Sequence, residues 1–495
     1  MKYPDLFPFS WFKGFRPESN DNLETKSPLR QLADIISSSV DQIDATFKDR
    51  GQKYPNLDAP FDPTTPAEAT ALSPEVIHCS SLIVAACAHL SATVNIPTKL
   101  LFDVGGGFHL SAALGVIIEG NVVEILHDHP SGLGVYDISA KNGMEPTRLA
   151  RLLRLLATHH VFIETSPNVF KNNKLSSMLD THKSFDTIQS KPEDKYVGTS
   201  GISALFAHTC DEVMKGSAFL TETLTDPDIG ASGAVEDCPL AVAFKFKKSF
   251  WEWLEEPRNE YRMNRFMLAM EGSAKLEPSD AILRGYQWGN LPPQSLVVDV
   301  GGSLGHIVRE IRNAYPGLKY VVQDRPAVIE SARQIWEKAI PSISDGSVVL
   351  QVHDFLKPQP ILDARIFLCR GVIHDYSYSV AKLILRNLRD AATENTELLI
   401  IDTITPYACL DDNQARVGYG IMGTETLPPP TPLLANLGKA NAVPYILDSQ
   451  VLVVLNGEER TIGSFTELLK DSGWKITRVF TISGSSGKQI LAAPV

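Results

Sequence analysis

The sequence has little cysteine. Only six of its 495 residues are cysteines, and no two of them form a CxxC pair. Disulfide frameworks and cysteine-based zinc sites need suitably spaced cysteines, so this scatter argues against both. We therefore expect reduced core thiols in a cytoplasmic protein.

An excess of positive charge is also missing. The formal net charge is −12 at pH 7, whereas nucleic acids and anionic membranes both attract a basic face. No apolar run approaches the roughly 18 residues of a membrane span. The N-terminal stretch MKYPDLFPFSWFKGF has prolines where a signal peptide has its apolar core. We therefore expect neither a nucleic-acid partner nor a membrane-spanning segment.

The chain is long and ordinary in composition. Hydrophobic residues make up 43% of it and charged residues 21%, which is typical of a globular protein with two or three domains. Residues 1–28 are rich in Pro, Phe and Ser and predict an arm. Amphipathic patterns predict helices at 28–50 and 73–95, and the chain stays mostly helical to about residue 290.

Residues 135–180 show a helix, turn, helix, hairpin pattern, with the hairpin centred on Pro167. This order is typical of a winged-helix module, which often binds DNA. Three arginines, Arg148, Arg151 and Arg154, stand beside a leucine stripe in the second helix. They are most simply the solvated face of that helix, so in an acidic chain we expect a dimerisation or packing module.

After about residue 290 the pattern changes. Short, nearly continuous apolar runs alternate with helical stretches, as in buried parallel strands joined by crossover helices. The runs that predict strands are SLVVDV, YVVQD, VVLQVHD, ARIFLCR, ELLIIDTI and ILDSQVLVVL. This part of the chain therefore predicts an α/β domain.

Two glycine-rich segments compete as the start of a nucleotide-type cofactor site. FDVGGGFHL at 102–110 and VVDVGGSLGHI at 297–307 each place an aspartate before glycines, and each has a second acid 25 residues later. Only Asp299 ends a strand-like run and is followed by a plausible helix and a second strand, which Asp324 ends. We predict the cofactor site at 299–305, and at 103–109 a structural break where helices pack closely.

The chemistry of the 299–305 loop suits a nucleotide-type cofactor. Glycines allow positive φ and a close approach to the main chain, and the following helix offers free N–H groups to an anion. Asp324 can accept hydrogen bonds from both ribose hydroxyls. On this reasoning NAD, FAD and S-adenosylmethionine all remain open.

Three further motifs narrow the choice. HDF at 353–355 closes the third strand, FLCRGVIHDYS at 367–377 leads from a strand into a His-Asp pair, and NGEERT at 456–461 precedes FTELLKDSGW. With VVDVGGSLG, VVQDRP and the winged-helix order, they make roughly residues 75–495 resemble class I S-adenosylmethionine-dependent O-methyltransferases. The resemblance is to the plant caffeate and fungal secondary-metabolism type, and is closest to the fungal branch. It implies S-adenosylmethionine as cofactor and a C-terminal Rossmann-like doubly wound sheet, preceded by a mainly helical domain with a winged-helix module.

The resemblance also implies roles for individual residues. His374 matches the general base, and Asp402 and Glu459 match the two acids that hold it. Met270 and Asp375 match substrate-binding positions. The matching cofactor-binding positions are Asp299, Gly301, Gly302, Asp324, Asp354, Phe355 and Arg370. In the family pattern Asp354 and Phe355 flank the adenine, and Arg370 lies near the tail of the cofactor.

The implied reaction moves a methyl group to a hydroxyl of a small aromatic acceptor of phenolic or polyketide type. A phenol has a pKa of about 10 and is mostly protonated at neutral pH. A histidine can take that proton as attack begins. One carboxylate on the far ring nitrogen fixes the tautomer, and a second favours the imidazolium. No metal is expected, because a sulfonium is already a strong electrophile.

Three features depart from the family pattern. Ser303 replaces a glycine of the loop. Tyr376 and Tyr378 replace the Trp and Asp of the usual His-Asp-Trp-Ser-Asp run, which changes the pocket wall near the base. Residues 409–444 form a long connection that favours a lid or a dimer contact.

Two other functions stay open. Some fungal proteins on this scaffold use the bound sulfonium to assist dehydrations and pericyclic rearrangements without methyl transfer, and a non-catalytic regulator would use the winged helix. The intact His374, Asp402 and Glu459 favour methylation. The acidic charge disfavours a regulator.

These expectations combine into a homodimeric enzyme with four regions. We expect an arm at 1–28 and a helical dimerisation domain at 29–235, with the winged helix at about 135–180. Connecting helices that line the substrate pocket follow at 236–290, and the catalytic domain occupies 291–495.

Overall fold

A computed structural model describes residues 26–339, 346–410, 420–425 and 428–495. Most of the arm predicted at 1–28 lies outside the described residues, as does part of the long connection at 409–444. Within the described part of that connection, Leu433 packs against Leu32 and Ala86 of the N-terminal helices. That stretch is therefore packed against the N-terminal helices, and its role as a lid or a dimer contact stays a prediction.

The N-terminal part is mainly helical, as the sequence predicts. Its helices are α1 (Pro28–Asp49), α2 (Pro66–Ala71), α3 (Pro74–Val94), α4 (Pro97–Gly105), α5 (Phe108–Glu119), α6 (Val122–His127), α7 (Val135–Asn142), α8 (Pro146–Thr158), α9 (Lys174–Ser177), α10 (Phe185–Ser190), α11 (Ile202–His208), α12 (Met214–Ser217), α13 (Leu220–Leu224), α14 (Pro239–Phe244), α15 (Phe250–Leu254) and α16 (Glu260–Ala274). Its strands are β1 (Leu133–Gly134), β2 (Ile163–Ser166) and β3 (Val169–Lys171). They form a small antiparallel sheet in the order β1-β3-β2.

The helix, turn, helix, hairpin order expected for 135–180 is present as α7, α8 and the β2–β3 hairpin. Helix α8 buries Leu149, Leu153 and Leu156, as the leucine stripe predicts. Arg154 pairs with Glu164 of the hairpin at 3.0 Å, so one of the three arginines ties the helix to the hairpin. Its identification as a winged helix stays a prediction.

The C-terminal part is a seven-stranded sheet in the order β6-β5-β4-β7-β8-β10-β9. Its strands are β4 (Leu296–Val300), β5 (Lys319–Asp324), β6 (Val348–Val352), β7 (Ile366–Arg370), β8 (Glu397–Asp402), β9 (Trp474–Thr481) and β10 (Lys488–Pro494), and its helices are α17 (His306–Ala314), α18 (Pro326–Ala339), α19 (Tyr378–Asp390), α20 (Val443–Leu455) and α21 (Ile462–Asp471). Strand β10 runs antiparallel to β8 and β9, and the other neighbours are parallel.

Helices cover both faces of this sheet. Val298 of β4 packs with α19 and α21 on one face, and the adjacent Val297 packs with α17 and α18 on the other. The strand order reverses between β4 and β7, so the loops after these two strands open on one crevice. This is the doubly wound arrangement expected from the sequence.

The last strand predicted from the sequence is wrong. The run ILDSQVLVVL lies in helix α20, which begins at Val443 and has a proline in its first turn. The helix buries Val453, Val454 and Leu455 against α14 and α15. An apolar run of this length does not distinguish a buried strand from a buried helix. Two strands that the sequence did not predict complete this side of the sheet: β10 pairs with β8, and β9 forms the edge.

The segment at 102–110 is helical, as expected for a break between helices. Residues up to Gly105 belong to α4, and α5 begins at Phe108. The predicted reason is wrong for Gly105, where an added Cβ would meet nothing within 4 Å. At Gly106 there is no room for a side chain, because an added Cβ would lie 2.9 Å from the carbonyl oxygen of Phe102 in α4.

Helix α3 is long and apolar enough to cross a membrane by length and composition, and the bent pair α4–α5 would be a second such segment. The sequence was not expected to contain such a helix. Only 22% of the apolar window of α3 is buried, and one or two such helices are weak evidence for a membrane span. Here α3 packs along α1, where Ala85 and Ala86 meet Leu32. The cytoplasmic location stays a prediction.

The six cysteines are all free. Four of them are buried, as expected for core thiols. Cys87 and Cys409 are exposed, so the expectation of a core location is wrong for these two.

Candidate active site

The loop between β4 and α17 has a backbone that favours glycine. Gly301 has a φ of 71° and Ser303 a φ of 53°. The N–H groups of Gly301 and Gly302 both donate to the carbonyl of Gln323, at 2.9 and 3.0 Å. A Cβ on Gly301 would lie 2.8 Å from Cγ2 of Val372. Conformation and space therefore both require glycine at 301, while Ser303 adopts the left-handed conformation at a position where the family has glycine.

Asp324 stands at the end of β5, beside this loop. Its Oδ2 accepts a hydrogen bond from the N–H of Ser303 at 2.8 Å, and its Oδ1 accepts one from the N–H of Arg325 at 2.7 Å. Burial raises the pKa of Asp324. Each carboxylate oxygen can accept a further hydrogen bond, so the carboxylate remains able to bind the two hydroxyls of a ribose.

Asp299 is buried under the loop, with only 2% of its surface exposed. Its Oδ2 has no hydrogen-bond partner among the described residues, and a Cβ on Gly302 would lie 2.6 Å from that oxygen. Burial raises the pKa of Asp299 to about 7, although the positive charge of Arg370 acts in the opposite direction. A buried carboxyl oxygen without a partner fits a bound hydrogen-bond donor, such as a hydroxyl or ammonium group of a cofactor.

The remaining predicted cofactor residues border the same crevice. Arg370 ends β7, next to β4 in the sheet. Phe355 follows β6, and its Cε1 would lie 3.6 Å from a Cβ on Gly301. Its exposed neighbour Asp354 accepts the N–H of Leu356 at 3.0 Å. All seven predicted residues thus lie at the carboxyl ends of four adjacent parallel strands, and the geometry fits a nucleotide-type cofactor.

His374 lies in a 3₁₀ turn (Ile373–Asp375) that follows β7. Its Nδ1 is 2.7 Å from Oε1 of Glu459, and its Nε2 is 3.4 Å from Oδ1 of Asp375. Burial lowers the pKa of His374, but the charge of Asp375 and the hydrogen bond to Glu459 outweigh burial and raise it to about 10. Glu459 holds Nδ1, so Nε2 is the ring nitrogen left for an acceptor.

Asp402 acts on His374 in a different way. It ends β8, and its Oδ1 accepts the N–H of Gly371 at 3.1 Å, while its Oδ2 has no partner among the described residues. Burial raises the pKa of Asp402 to about 7, and the charge of His374 acts in the opposite direction. Glu459 therefore holds the imidazole by direct contact, whereas Asp402 supports the chain just before it and acts through charge.

The sequence analysis missed Arg460, which is fully buried. Its Nη1 donates to the carbonyl of Ile373 at 2.8 Å and its Nη2 to the carbonyl of Tyr376 at 2.6 Å. The N–H of Glu458 donates to the carbonyl of His374 at 2.8 Å. The NGEERT segment thus clamps the turn that carries His374. Arg460 donates its hydrogen bonds to backbone carbonyls, which cannot be read from residue identities. Only the NGEERT motif itself could have drawn attention to this residue.

The predicted substrate residues lie in two places. Asp375 is in the turn with His374, and burial raises its pKa to about 6. Met270 lies on α16 with an exposed side chain, and its contact with a substrate stays a prediction. Of the two tyrosines that depart from the family pattern, Tyr376 packs edge-on against Phe355 with ring centroids 5.6 Å apart. Tyr378 begins α19.

Two family models match the chain. The O-methyltransferase domain matches residues 236–422, and the O-methyltransferase dimerisation domain matches residues 102–182. The 4-O-methyltransferase 1 of Phanerochaete chrysosporium is 38% identical over 464 residues, which cover 93% of this chain and 97% of that protein. The dimerisation-domain match supports a homodimer.

Two solved structures share the fold. The mitomycin 7-O-methyltransferase MmcR has a TM-score of 0.59 and 22% identity, with 81% of this chain and 98% of MmcR covered. LepI in complex with S-adenosylmethionine has a TM-score of 0.61 and 16% identity, with 86% of this chain and 97% of LepI covered. At these identities the likeness shows the fold alone.

The matches support one of the functions that the sequence left open. Both family models and the Phanerochaete relative are O-methyltransferases, so methylation is better supported than a pericyclic reaction or a regulatory role. The chain is an enzyme, and S-adenosylmethionine is the cofactor of the O-methyltransferase family that its domain matches. It belongs to the class I S-adenosylmethionine-dependent O-methyltransferases of the fungal secondary-metabolism type.

Proposed function

We propose that the methyl group goes to a hydroxyl of a small aromatic acceptor, of phenolic or polyketide type, and that His374 is the general base. The observation that carries this proposal is the pairing of Nδ1 of His374 with Glu459 at 2.7 Å. This pair lies next to the cofactor loop, because Val372, two residues before His374, faces Gly301. S-adenosylmethionine supplies the methyl group on a positively charged sulfur.

The basicity of His374 favours a phenol over an aliphatic alcohol. Its pKa is raised to about 10, close to the value of about 10 for an ordinary phenolic hydroxyl. A proton therefore passes from a phenol to the neutral imidazole at much lower cost than from an aliphatic hydroxyl, even after a bound sulfonium lowers the pKa of His374. An aliphatic hydroxyl, with a pKa near the value of about 15.7 for water, would make the same transfer strongly unfavourable.

The residues around His374 divide the work of proton transfer. Nε2 takes the acceptor proton as the oxygen attacks, and Glu459 keeps the imidazole oriented through Nδ1. Asp402 and Asp375 favour the imidazolium through their charge. Arg460 holds the backbone of the turn, so that the base stays at a fixed distance from the cofactor loop.

Replacement of the base tests this assignment. We expect His374→Ala to lower turnover at neutral pH by about 10²–10⁴-fold, while the affinity for S-adenosylmethionine in calorimetry stays nearly unchanged. Raising the pH toward the pKa of the acceptor should restore part of the rate, because solvent then removes the proton. His159→Ala, at an exposed histidine remote in sequence from the site, is the control. Full transfer activity of His374→Ala at pH 7 would remove His374 from the mechanism.

The raised pKa of His374 also predicts a pH profile. Only the neutral imidazole accepts a proton, so kcat/KM should rise with pH through the pKa of His374 in the free enzyme, which lies well above the ordinary 6.5. A positive charge bound nearby lowers this pKa, so the rise in kcat should lie at lower pH. Phenols of different acidity separate the titration of His374 from that of the acceptor. A rise whose midpoint shifts with the pKa of the phenol belongs to the acceptor. A rise in kcat/KM at the ordinary histidine value would contradict the arrangement.

An assay with labelled cofactor distinguishes methyl transfer from the alternative reaction without it. A panel of phenols with methyl-labelled S-adenosylmethionine should give labelled products and one S-adenosylhomocysteine per methyl group. Consumption of an acceptor without S-adenosylhomocysteine would instead support a dehydration or pericyclic reaction. The alternative is tested because Tyr376, which packs against Phe355, stands where the family has a tryptophan near the base.

We also propose a homodimer formed through the N-terminal part, with the region boundaries near residues 28, 235 and 290. Helices α4 and α5 expose several large apolar side chains, notably Leu101, Phe102, Val104 and Phe108. An obligate interface buries on the order of 2,000 Å² or more, which such a surface helps to supply. Light scattering should give twice the chain mass, and Phe102→Asp should weaken the dimer, whereas Ile335→Asp on α18 should not. A monomeric wild type at micromolar concentration would contradict the proposal.

A further inference from the structure

Two histidines and an aspartate meet in the N-terminal part. His127 ends α6, and Asp180 and His182 follow α9. Nδ1 of His127 is 2.5 Å from Oδ2 of Asp180. The rings of His127 and His182 lie edge to face, with centroids 5.9 Å apart. One possible ligand atom from each of the three residues lies within 4.8 Å of the others.

We propose that His127, Asp180 and His182 bind a divalent first-row transition metal of the zinc class, at a site separate from the methyl-transfer site. Two imidazole nitrogens and one carboxylate oxygen are ligands that zinc prefers, at about 2.0–2.2 Å. Two ligand atoms on one tetrahedral ion are then about 3.3 Å apart. To reach that geometry, rotations of the two exposed histidine side chains would have to open the 2.5 Å contact between His127 and Asp180 and bring the widest separation, which is at most 4.8 Å, to about 3.3 Å.

The carboxylate is held in place for this role. The side chain of Asp180 is only 4% exposed, and its Oδ1 accepts the N–H of His182 at 2.7 Å. That hydrogen bond orients Oδ2 toward His127. Hydrogen bonds that orient a ligating carboxylate are typical of metal sites. Both imidazoles are exposed, so an ion can reach them from solvent.

Neighbouring contacts fix the two chain segments relative to each other. Thr181 donates through its hydroxyl to Oε1 of Glu124 at 2.9 Å, and Glu124 lies on α6, three residues before His127. The metal would therefore join two segments that are already packed, which makes its role structural. Methyl transfer does not need it, because the site lies outside the methyl-transfer residues.

The test uses tag-free, chelator-treated full-length protein. Titration with zinc chloride in a calorimeter should show one ion bound per chain, and cobalt(II) should give the visible absorption bands of low-coordinate nitrogen and oxygen ligation. Magnesium chloride should show no binding, because imidazole ligands do not suit magnesium. Zinc should also raise the melting temperature of the wild type.

Variants assign the ligands. His127→Ala and His182→Asn should each weaken zinc binding by at least about tenfold and remove the shift in melting temperature. Asparagine is chosen at 182 because this residue has a φ of 56°, which asparagine tolerates. His159→Ala, at another exposed histidine, should bind zinc like the wild type. Unchanged affinity for S-adenosylmethionine shows that the variants are folded.

Two results would overturn the proposal. If the wild type binds no zinc, the three residues form only an ion pair with a neighbouring histidine. If zinc binds equally well to the wild type, His127→Ala and His182→Asn, the ion lies elsewhere on the surface and is adventitious.

Discussion

The two glycine segments, 102–110 and 297–307, look alike in sequence and differ in structure. At 103–107 the chain completes one helix and turns into another, and Val104 and the preceding Phe102 are among the most exposed apolar residues of the described chain. At 299–305 a buried strand ends in a loop where Gly301 and Gly305 have positive φ, with Asp324 of the next strand beside it. A glycine-rich string predicts a cofactor loop only where a sheet places a second strand next to it.

The aspartates of the two segments also lie in different environments. Asp103 ends no strand and lies in helix α4. Asp299 is buried with one oxygen unpaired, and burial raises its pKa to about 7. A buried carboxyl without a partner destabilises the free protein when ionised, and such groups are retained where a ligand uses them. Substitutions at matching positions of the two segments turn this contrast into measurements.

The largest contrast is expected for alanine at the glycines. Gly301→Ala introduces a Cβ 2.8 Å from Cγ2 of Val372, at a φ of 71°. We expect it to lower the free energy of unfolding by about 2–5 kcal/mol and to impair cofactor binding. Gly105→Ala adds a Cβ in open space at the end of a helix and should stabilise the chain by up to about 1 kcal/mol. Denaturant unfolding measures both changes. If the two variants changed the free energy of unfolding in the same direction, the contrast between the segments would be contradicted.

A smaller contrast is expected for the aspartates. The folded pKa of Asp299 is raised by burial to about 7, so its ionisation destabilises the folded chain as pH rises from about 4, and fully so above pH 7. Asp299→Asn should therefore raise the free energy of unfolding of the cofactor-free enzyme by about 1–3 kcal/mol at pH 8 and change it little at pH 4. Cofactor affinity should fall in the same variant.

The matched control for this test is Asp103→Asn, which should change the free energy of unfolding by less than about 0.5 kcal/mol. Unfolding curves at the two pH values provide the measurement. Equal stability of Asp299→Asn and the wild type at pH 8 would show that Asp299 is not ionised when buried.

The smallest effect is expected at Ser303. Glycine would relieve its left-handed backbone, with a φ of 53°, but would also gain entropy in the unfolded chain. Ser303→Gly should therefore change the free energy of unfolding by less than about 1 kcal/mol and leave cofactor affinity nearly the same. A large loss of affinity in calorimetry would mean that the serine hydroxyl itself contacts the cofactor.

The sequence predicts some parts of this molecule better than others for physical reasons. The parallel strands β4 to β8 are predicted correctly, because strands buried on both faces read as continuous apolar runs. The same pattern misassigned ILDSQVLVVL, since a short apolar helix buried among α14 and α15 has the same composition.

The site shows a similar division. The motifs point to Asp324 and to His374 and Glu459; the structure places Asp324 beside the glycine loop and pairs His374 with Glu459. The buried Arg460, which binds backbone carbonyls, could not be recognised, because its partners leave no trace in residue identity. The through-space role of Asp402 likewise depends on distances that only the fold supplies.

The most direct test of the contrast is calorimetric titration of S-adenosylmethionine into two alanine variants. Asp324→Ala removes the carboxylate beside the loop and should cost about 1.5–3 kcal/mol of binding free energy, which corresponds to about 10–150-fold in affinity. Asp103→Ala should bind the cofactor like the wild type. If Asp103→Ala loses affinity and Asp324→Ala keeps it, the cofactor does not bind at the 299–305 loop.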